Sequence, residues 1–441
     1  MKKRNLKTFF TITFMLCSAL ATFASQNTET EFKVKMQFGV NIAGAEGGGT
    51  AGTPNVNYIY PRAVDFDYFK SKGLTLVRIP FRWQRVQHTV GGPLDTEIDI
   101  LKLKEVVKMA EDRGIKVMLD MHDYGRLTIA GTEYIIGKTD NLTIAHFVDV
   151  WTKLALEFKD FTNIWGYDLM NEPHDMGTCS LYKTYQAVVN GIRTVDTNTP
   201  IVLEGSSWAS AYNWPGVNVS DSLKLIVDPS NKIIYEAHCY FDYNASGQYN
   251  NNYDTEVKTS QIALIRLKPF VDWLKKNNKV GMIGECGVPN NDVRWLTMLD
   301  GALTYLRDND VSFTYWAAGS WWGGYPMSIQ PNGSGVIDKV QMSILEKYND
   351  YNLPAAVHEV ISGTKISISP NPATDNIRIK TELTIKRVSI YNAQGSNLLQ
   401  ENTNTIGTEY VVSLKKLVSG TYLVKVLLED NSIVVKKIVK I

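Results

Sequence analysis

Two glutamates in this chain stand where a carboxylate can do chemistry. The stretch Ile164-Trp-Gly-Tyr-Asp-Leu-Met-Asn-Glu-Pro ends in Asn171, Glu172 and Pro173. Its apolar run from Ile164 to Met170 reads as a buried strand, stopped by a polar pair and a proline that cannot continue a central strand. The run Val280-Gly-Met-Ile-Gly-Glu-Cys-Gly delivers Glu285 in the same way. One such glutamate often does no more than cap the next helix. Two of them, on separate strand ends with strand–helix units between, suggest facing carboxylates, the arrangement that cleavage of a glycosidic bond requires. If configuration is retained, the two groups stand about 5–5.5 Å apart, one as nucleophile and one as acid and then base. Arg78, expected at the end of its own strand, would hold one of the pair ionised as a nucleophile must be. The other must keep its proton, helped by its partner's negative charge. Sequence order alone does not say which is which.

His122 closes a third apolar run, and His238 and Tyr240 share one face of a fourth. Taken singly, each reads as a buried polar residue; their common place at strand ends makes them site candidates. A zinc site is a competing use of His122, His238 and a glutamate, but no close-spaced pair such as His-x-x-x-His supports it. No nucleophile elbow supports a serine triad. Trp83, Trp208, Trp214, Trp316, Trp321, Trp322 and Tyr325 all fall at strand ends or in the loops that follow. Exposed indoles are costly unless they stack on something, and sugar rings present flat C–H faces. Of these, Trp316 is the one expected to touch substrate.

The elements that must position these side chains alternate. Strands are expected over Met36–Ala43, Leu74–Pro80, Lys116–His122, Ile164–Met170, Pro200–Gly205, Ile233–Tyr240, Val280–Gly287 and Ser312–Gly319. Helices are expected over Arg62–Lys72, Glu97–Arg113, Ala145–Lys159, Tyr182–Val195, Val257–Lys276 and Asn291–Arg307. That rhythm is α/β and fits a (β/α)8 TIM barrel, whose active site lies at the C-terminal ends of the strands. A doubly wound open sheet is the alternative, but no Gly-rich phosphate loop follows the first strand.

The 441 residues suggest more than one domain. Residues 1–24, basic then apolar then small, read as a secretory signal peptide. Cys17 raises lipidation, against which stands the bulky Leu16 before it. The domain expected over 25–348 is catalytic, 349–364 is a linker, and 365–441 is a small all-β sandwich of short strands broken by turns such as Pro370-Asn-Pro and Ser419-Gly. No later run reaches spanning length, so no stable membrane span is expected. Four basic and no acidic residues fall in the signal, and from Lys365 onward eleven basic residues meet six acidic ones. With a formal net charge of +1 overall, the span between is acidic. That argues against nucleic acid or an anionic membrane as ligand and leaves a neutral polymer compatible. Three cysteines remain after the signal, too few and odd for a disulfide scaffold. Strand alternation points Cys239 and Cys286 away from the site, toward the helices.

Over roughly Met36 to Glu346 the chain resembles glycoside hydrolase family 5, the cellulase-type barrel enzymes. The resemblance rests on Gly39-Val-Asn-Ile-Ala-Gly, Val77-Arg-Ile-Pro, Asp120-Met-His, Leu169-Met-Asn-Glu-Pro-His, His238-Cys-Tyr, Ile283-Gly-Glu-Cys-Gly and Tyr315-Trp-Ala-Ala-Gly-Ser. The family's site pattern falls in order on Arg78, His122, Asn171, Glu172, His238, Tyr240, Glu285 and Trp316. The resemblance implies Glu172 as acid/base, Glu285 as nucleophile, Asn171 on the sugar 2-OH and Tyr240 steering Glu285. It also implies a secreted endo-β-1,4-glucanase acting on β-glucan by double displacement, with no cofactor. A mannanase or xylanase of the same family, or a non-catalytic glycan-binding protein, are the alternatives. Cys286 departs from the small or hydroxyl residue usual there. The C-terminal residues resemble the sorting domain of the type IX secretion system, through Ser369-Pro-Asn-Pro-Ala, Val388-Ser-Ile-Tyr-Asn-Ala-Gln-Gly and Leu417-Val-Ser-Gly-Thr-Tyr. That resemblance implies export through the periplasm and outer membrane by the type IX machinery. The alternative, a carbohydrate-binding module, lacks a tryptophan for a sugar platform.

Overall fold

The computed structural model describes residues 32–49, 52–177, 179–216, 220–332, 337–348, 366–391, 397–402, 407–429 and 433–441. The expected signal peptide (1–24) and linker (349–364) lie outside the described residues. What is described falls into two compact units, one on either side of residue 352.

In chain order the first unit contains β1 (Phe38–Ile42), α1 (Ala63–Ser71), β2 (Leu76–Phe81), α2 (Trp83–Val86), α3 (Asp99–Glu111), β3 (Lys116–Met121), β4 (Arg126–Ile129), β5 (Thr132–Ile135), α4 (Ile144–Phe158), β6 (Ile164–Asp168), α5 (Leu181–Arg193), β7 (Ile201–Glu204), α6 (Ser220–Leu223), β8 (Ile233–His238), α7 (Tyr253–Glu256), α8 (Ile262–Asn277), β9 (Val280–Cys286), α9 (Val293–Asp308), β10 (Ser312–Ala318) and α10 (Met342–Leu345). Eight strands close a barrel in the order β1-β10-β9-β8-β7-β6-β3-β2, and each neighbouring pair is parallel. The expected (β/α)8 architecture is therefore observed. Between β3 and α4 an antiparallel hairpin, β4–β5, is added.

The strands form because both faces are buried: β1, β2, β6 and β7 are buried at every position. The helices cover them with one apolar stripe each, α4 for example with Phe147, Val150, Trp151, Leu154 and Phe158. Thr143, Ser180 and Asp292 cap α4, α5 and α9 by accepting a backbone N–H.

Side chains two apart on a strand share a face, so the barrel interior is built in layers. One layer is apolar: Leu76, Met118, Val202, Ile234 and Met282, joined by Trp165 and closed over by Phe32 and Val34. Two residues further along each strand the layer becomes Arg78, Asp120, Asp168, Glu204, Glu236 and Gly284. Gly284 leaves room for its neighbour: a Cβ there would lie 1.4 Å from Glu236 Oε1. Arg78 was expected at a strand end; β2 instead runs on to Phe81, which sets Arg78 inside the barrel.

The second unit holds β11 (Ser367–Ser369), β12 (Asn376–Lys380), β13 (Ile385–Tyr391), β14 (Asn397–Asn402), β15 (Glu409–Ser413), β16 (Gly420–Leu428) and β17 (Ile433–Lys440). They form two antiparallel sheets, β11-β12-β15 and β14-β13-β16-β17. Both sheets contribute to one core, with Ile377, Ile379 and Val412 from one and Val388, Ile390, Val424 and Val426 from the other. This is the expected small sandwich.

Candidate active site

Glu285 stands one residue before the end of β9, and Glu172 in the turn after β6. β6 is shorter than the expected strand: it ends at Asp168, and Asn171 is held by its backbone N–H on the Met121 carbonyl at 2.9 Å. Glu172 then takes a φ of 44°, a left-handed conformation uncommon for a residue with a side chain. From these two positions the carboxylates converge. A nitrogen of His238 and one oxygen each from Glu172 and Glu285 all lie within 4.8 Å of one another.

The two glutamates meet different surroundings. Glu285 Oε1 accepts from Arg78 Nη1 at 2.9 Å and Oε2 from the Tyr240 hydroxyl at 2.8 Å. Burial opposes its ionisation, but the charges of His238 and Arg78 and the Tyr240 hydrogen bond outweigh that and hold it below the usual carboxylate range. Glu172 Oε1 lies 2.7 Å from His238 Nδ1, and its side chain lines an open cleft. The two carboxylates are thus held by different partners, as separate roles require.

Arg78 is fully buried and lies between 2.9 and 3.3 Å from five carboxylates: Asp120, Asp168, Glu204, Glu236 and Glu285. Its Nη2 also donates to Asn171 Oδ1 at 2.9 Å and Nη1 to Asn41 Oδ1 at 3.1 Å. Asn41 in turn donates to the Gly284 carbonyl at 2.8 Å. One cation cannot neutralise five acids, and the excess appears as retained protons. Burial pushes Asp120 and Asp168 well above the usual range, and Glu204 to about 7. His238 is raised well above the ordinary histidine value, because Glu204 and Glu285 outweigh the burial of its ring. His122 goes the other way, down to about 4, since burial dominates.

These shifts give stability a pH dependence of definite sign. Unfolded aspartate and glutamate titrate near about 4. Between there and the raised folded values, the folded chain binds more protons than the unfolded one, so stability falls as pH rises. His238, also raised, contributes stability below about pH 6.5 that is lost as pH rises through its folded value. Glu285 and His122, both lowered, act in the opposite sense, Glu285 only in acid and His122 below about pH 6.5, but the raised Asp120, Asp168, Glu204 and His238 outnumber them. The midpoint of thermal unfolding should therefore fall between about pH 5 and about pH 8. Calorimetry across that interval checks it, and a flat or rising midpoint would contradict the charge balance described.

All eight residues expected at the site are brought together, six of them around the carboxylate pair. His122 Nδ1 is taken by Asp120 Oδ2 at 2.7 Å, and its ring stacks on Trp316 at 5.6 Å and 13°. Trp316 meets Trp322 edge-on, and Trp322 meets Tyr325 at 4.7 Å. On the Glu172 side, a cleft of about 620 Å³ runs past His238, Tyr240, Trp208, Tyr212, Asn213 and Gln248. Trp208 is 47% exposed and stacks on His174 at 4.3 Å. For two of the other tryptophans the structure decides in favour of packing. Trp83 and Trp214 are fully buried, packed on Phe147 and on Phe270 and Trp273. Cys239 follows β8 at the edge of the cleft and is buried. Burial pushes its thiol up to about 12, so it stays protonated. The inner acids Asp120, Asp168, Glu204 and Glu236, and Asn41, were not among the expected site residues. Asp120, Glu204 and Glu236 carried a signal, an acid two positions after Met118, Val202 and Ile234, whereas Asn41 and Asp168 follow Gly39 and Gly166.

Comparison with known proteins agrees with this geometry. The model of cellulases, glycosyl hydrolase family 5, matches residues 35–321. This chain belongs to glycosyl hydrolase family 5. Endo-beta-1,4-glucanase B of Aspergillus niger is 34% identical over 336 residues, covering 75% of this chain and 96% of that protein. The crystal structure of Pseudomonas stutzeri endoglucanase Cel5A in complex with cellobiose is 37% identical, with a TM-score of 0.66 over 74% of this chain and 95% of that one. Cel5A (EG2) from Hypocrea jecorina is 28% identical, with a TM-score of 0.61 over 71% and 98%. Residues 367–440 match the secretion system C-terminal sorting domain, so this family 5 hydrolase carries a domain for export. Among the described residues no helix is long and apolar enough to cross a membrane.

Proposed function

We propose that this family 5 hydrolase is a secreted endo-β-1,4-glucanase that cleaves β-1,4-glucan with retention of configuration. The observation that carries the reading is the convergence of Glu172 and Glu285, an oxygen of each lying within 4.8 Å of the other, which supports the short separation of a retaining pair. Glu285, held ionised, attacks the anomeric carbon while the glycosidic C–O bond breaks and the Glu172 proton passes to the leaving oxygen. Glu172 then takes a proton from water, whose oxygen displaces Glu285 and restores both carboxyl groups. Asn171 supports a role at the sugar 2-OH: Arg78 holds its Oδ1, while its buried Nδ2 has no protein partner. Tyr240 orients Glu285, and Arg78, His122, His238 and Trp316 line and charge the site around the pair. The endo-glucanase names of the relatives above support β-glucan as the substrate. The mechanism calls on no cofactor.

The proposed organisation is a signal peptide over 1–24, the catalytic domain over 25–348, a linker over 349–364 and the sorting domain over 365–441. Export would follow the type IX route to the cell surface or medium.

The test is reducing-sugar release from carboxymethyl cellulose, mixed-linkage glucan, mannan and xylan, with the anomer of the first product read by proton NMR. Glucan cleavage giving the β-anomer first is expected. Preference for mannan or xylan replaces the substrate and keeps the chemistry. The α-anomer first would overturn double displacement, and binding of glucan without turnover would make the protein a glycan-binding one.

A further inference from the structure

Glu204 closes β7, fully buried, and touches Glu172 by two routes. Its Oε2 accepts the Glu172 backbone N–H at 2.6 Å. Its Oε1 accepts from Arg78 Nη2 at 3.0 Å and lies 3.4 Å from His238 Nε2. The other nitrogen of that imidazole, Nδ1, lies 2.7 Å from Glu172 Oε1. Glu172 has the left-handed φ of 44°, which persists only where neighbours hold it. We propose that Glu204 is a positioning residue for the acid/base step, fixing the Glu172 backbone through one oxygen and keeping His238 cationic against the Glu172 side chain through the other.

The inference rests on reading Glu172 as the acid/base. The groups facing Glu204 are Arg78 from β2, Asp168 from β6, Glu172 after it, Tyr185 from α5, and Glu236 and His238 from β8. Arg78 and His238 favour its carboxylate, and the acids oppose it. Burial, the larger effect, brings its titration to about 7. Below that, Glu204 is neutral and resembles a glutamine; above it, its charge sustains the imidazolium. The two functions are therefore separable by substitution.

Glu204→Gln keeps an oxygen for the Glu172 N–H and removes the charge. Its acid limb in kcat/KM should coincide with wild type. Loss of the imidazolium, 2.7 Å from the Glu172 carboxylate, should move the alkaline limb up by about half a pH unit or more. Glu204→Asp keeps the charge but withdraws it from the N–H. Its limbs should stay in place while kcat falls about 10- to 100-fold, as a misplaced catalytic group produces, with KM little changed. An unmoved or lowered alkaline limb in the glutamine variant overturns the charge role, and a wild-type kcat in the aspartate variant overturns the backbone role. Should neither variant fold, ¹⁵N NMR of the wild-type histidines decides: a His238 ring neutral at pH 7 overturns the charge role. Glu172→Ala, assayed in parallel on mixed-linkage glucan, tests the underlying reading separately, since unchanged hydrolysis there would remove the acid/base itself.

Discussion

Glu285→Ala should lose glucan hydrolysis by on the order of 10⁵-fold or more, the scale of losing a covalent nucleophile. The chain should still fold. Arg78 keeps four carboxylate partners within 3.3 Å, so the deletion leaves no unpaired cation. What it leaves is a space on the α face of the sugar, where a small anion can enter. With an aryl β-cellobioside and added azide, the variant should form the α-glycosyl azide, because azide attacks from the side that Glu285 vacated. Hydrolysis within tenfold of wild type, or a β-azide product, would take the nucleophile role from Glu285. The ordering of roles comes from the neighbours: Glu285 is the carboxylate bonded to both Arg78 and Tyr240.

Glu172→Ala should behave differently, and the contrast is the stronger test. Losing a general acid costs about 10²- to 10⁴-fold where the leaving group needs a proton, as a sugar alkoxide does. A dinitrophenolate needs none, so the dinitrophenyl cellobioside should still glycosylate Glu285 rapidly, releasing dinitrophenolate, and then stall, giving a burst followed by slow turnover. Azide should relieve the stall and give the β-azide, since it attacks the covalent intermediate from the face where Glu172 had activated water. An α-azide here, or equal losses on both substrates, would contradict the assignment. Opposite azide anomers from the two variants would fix both roles at once.

The strands, and the convergence of the eight residues expected at the site, were legible because most of those residues sit where apolar runs stop, and a stop is visible in one dimension. The interior was less legible. Arg78 looked like a strand-end residue because Pro80 seemed to close its strand; the barrel accepts that proline within β2, in register with Asp120. Asp120, Asp168, Glu204 and Glu236 each sit inside a run whose neighbours are apolar, so each resembles an isolated exception. Only closure of the barrel makes them one layer. The hairpin β4–β5 was missed although Ile129-Ala-Gly-Thr carries its turn, with positive φ at both Ala130 and Gly131. Trp83 and Trp214 stayed undecided between packing and substrate because a loop position in sequence says nothing of depth. Their indoles are buried against Phe147 and against Phe270 and Trp273.

Arg78 also bears on how this barrel comes apart. Its guanidinium reaches acids on β3, β6, β7, β8 and β9, strands from both halves of the chain's barrel. A fragment ending after β6 would retain the arginine with only two of those acids, and one starting at β7 would hold three acids with no arginine. Neither half closes its own charge, and a half-open barrel admits water to a layer arranged to be dry. Unfolding of this unit should consequently be all-or-none, with loss of the active site and loss of the barrel as one event, whereas many repeat-built folds shed an end and keep the rest. The same arginine that bonds Glu285 thereby makes the barrel indivisible.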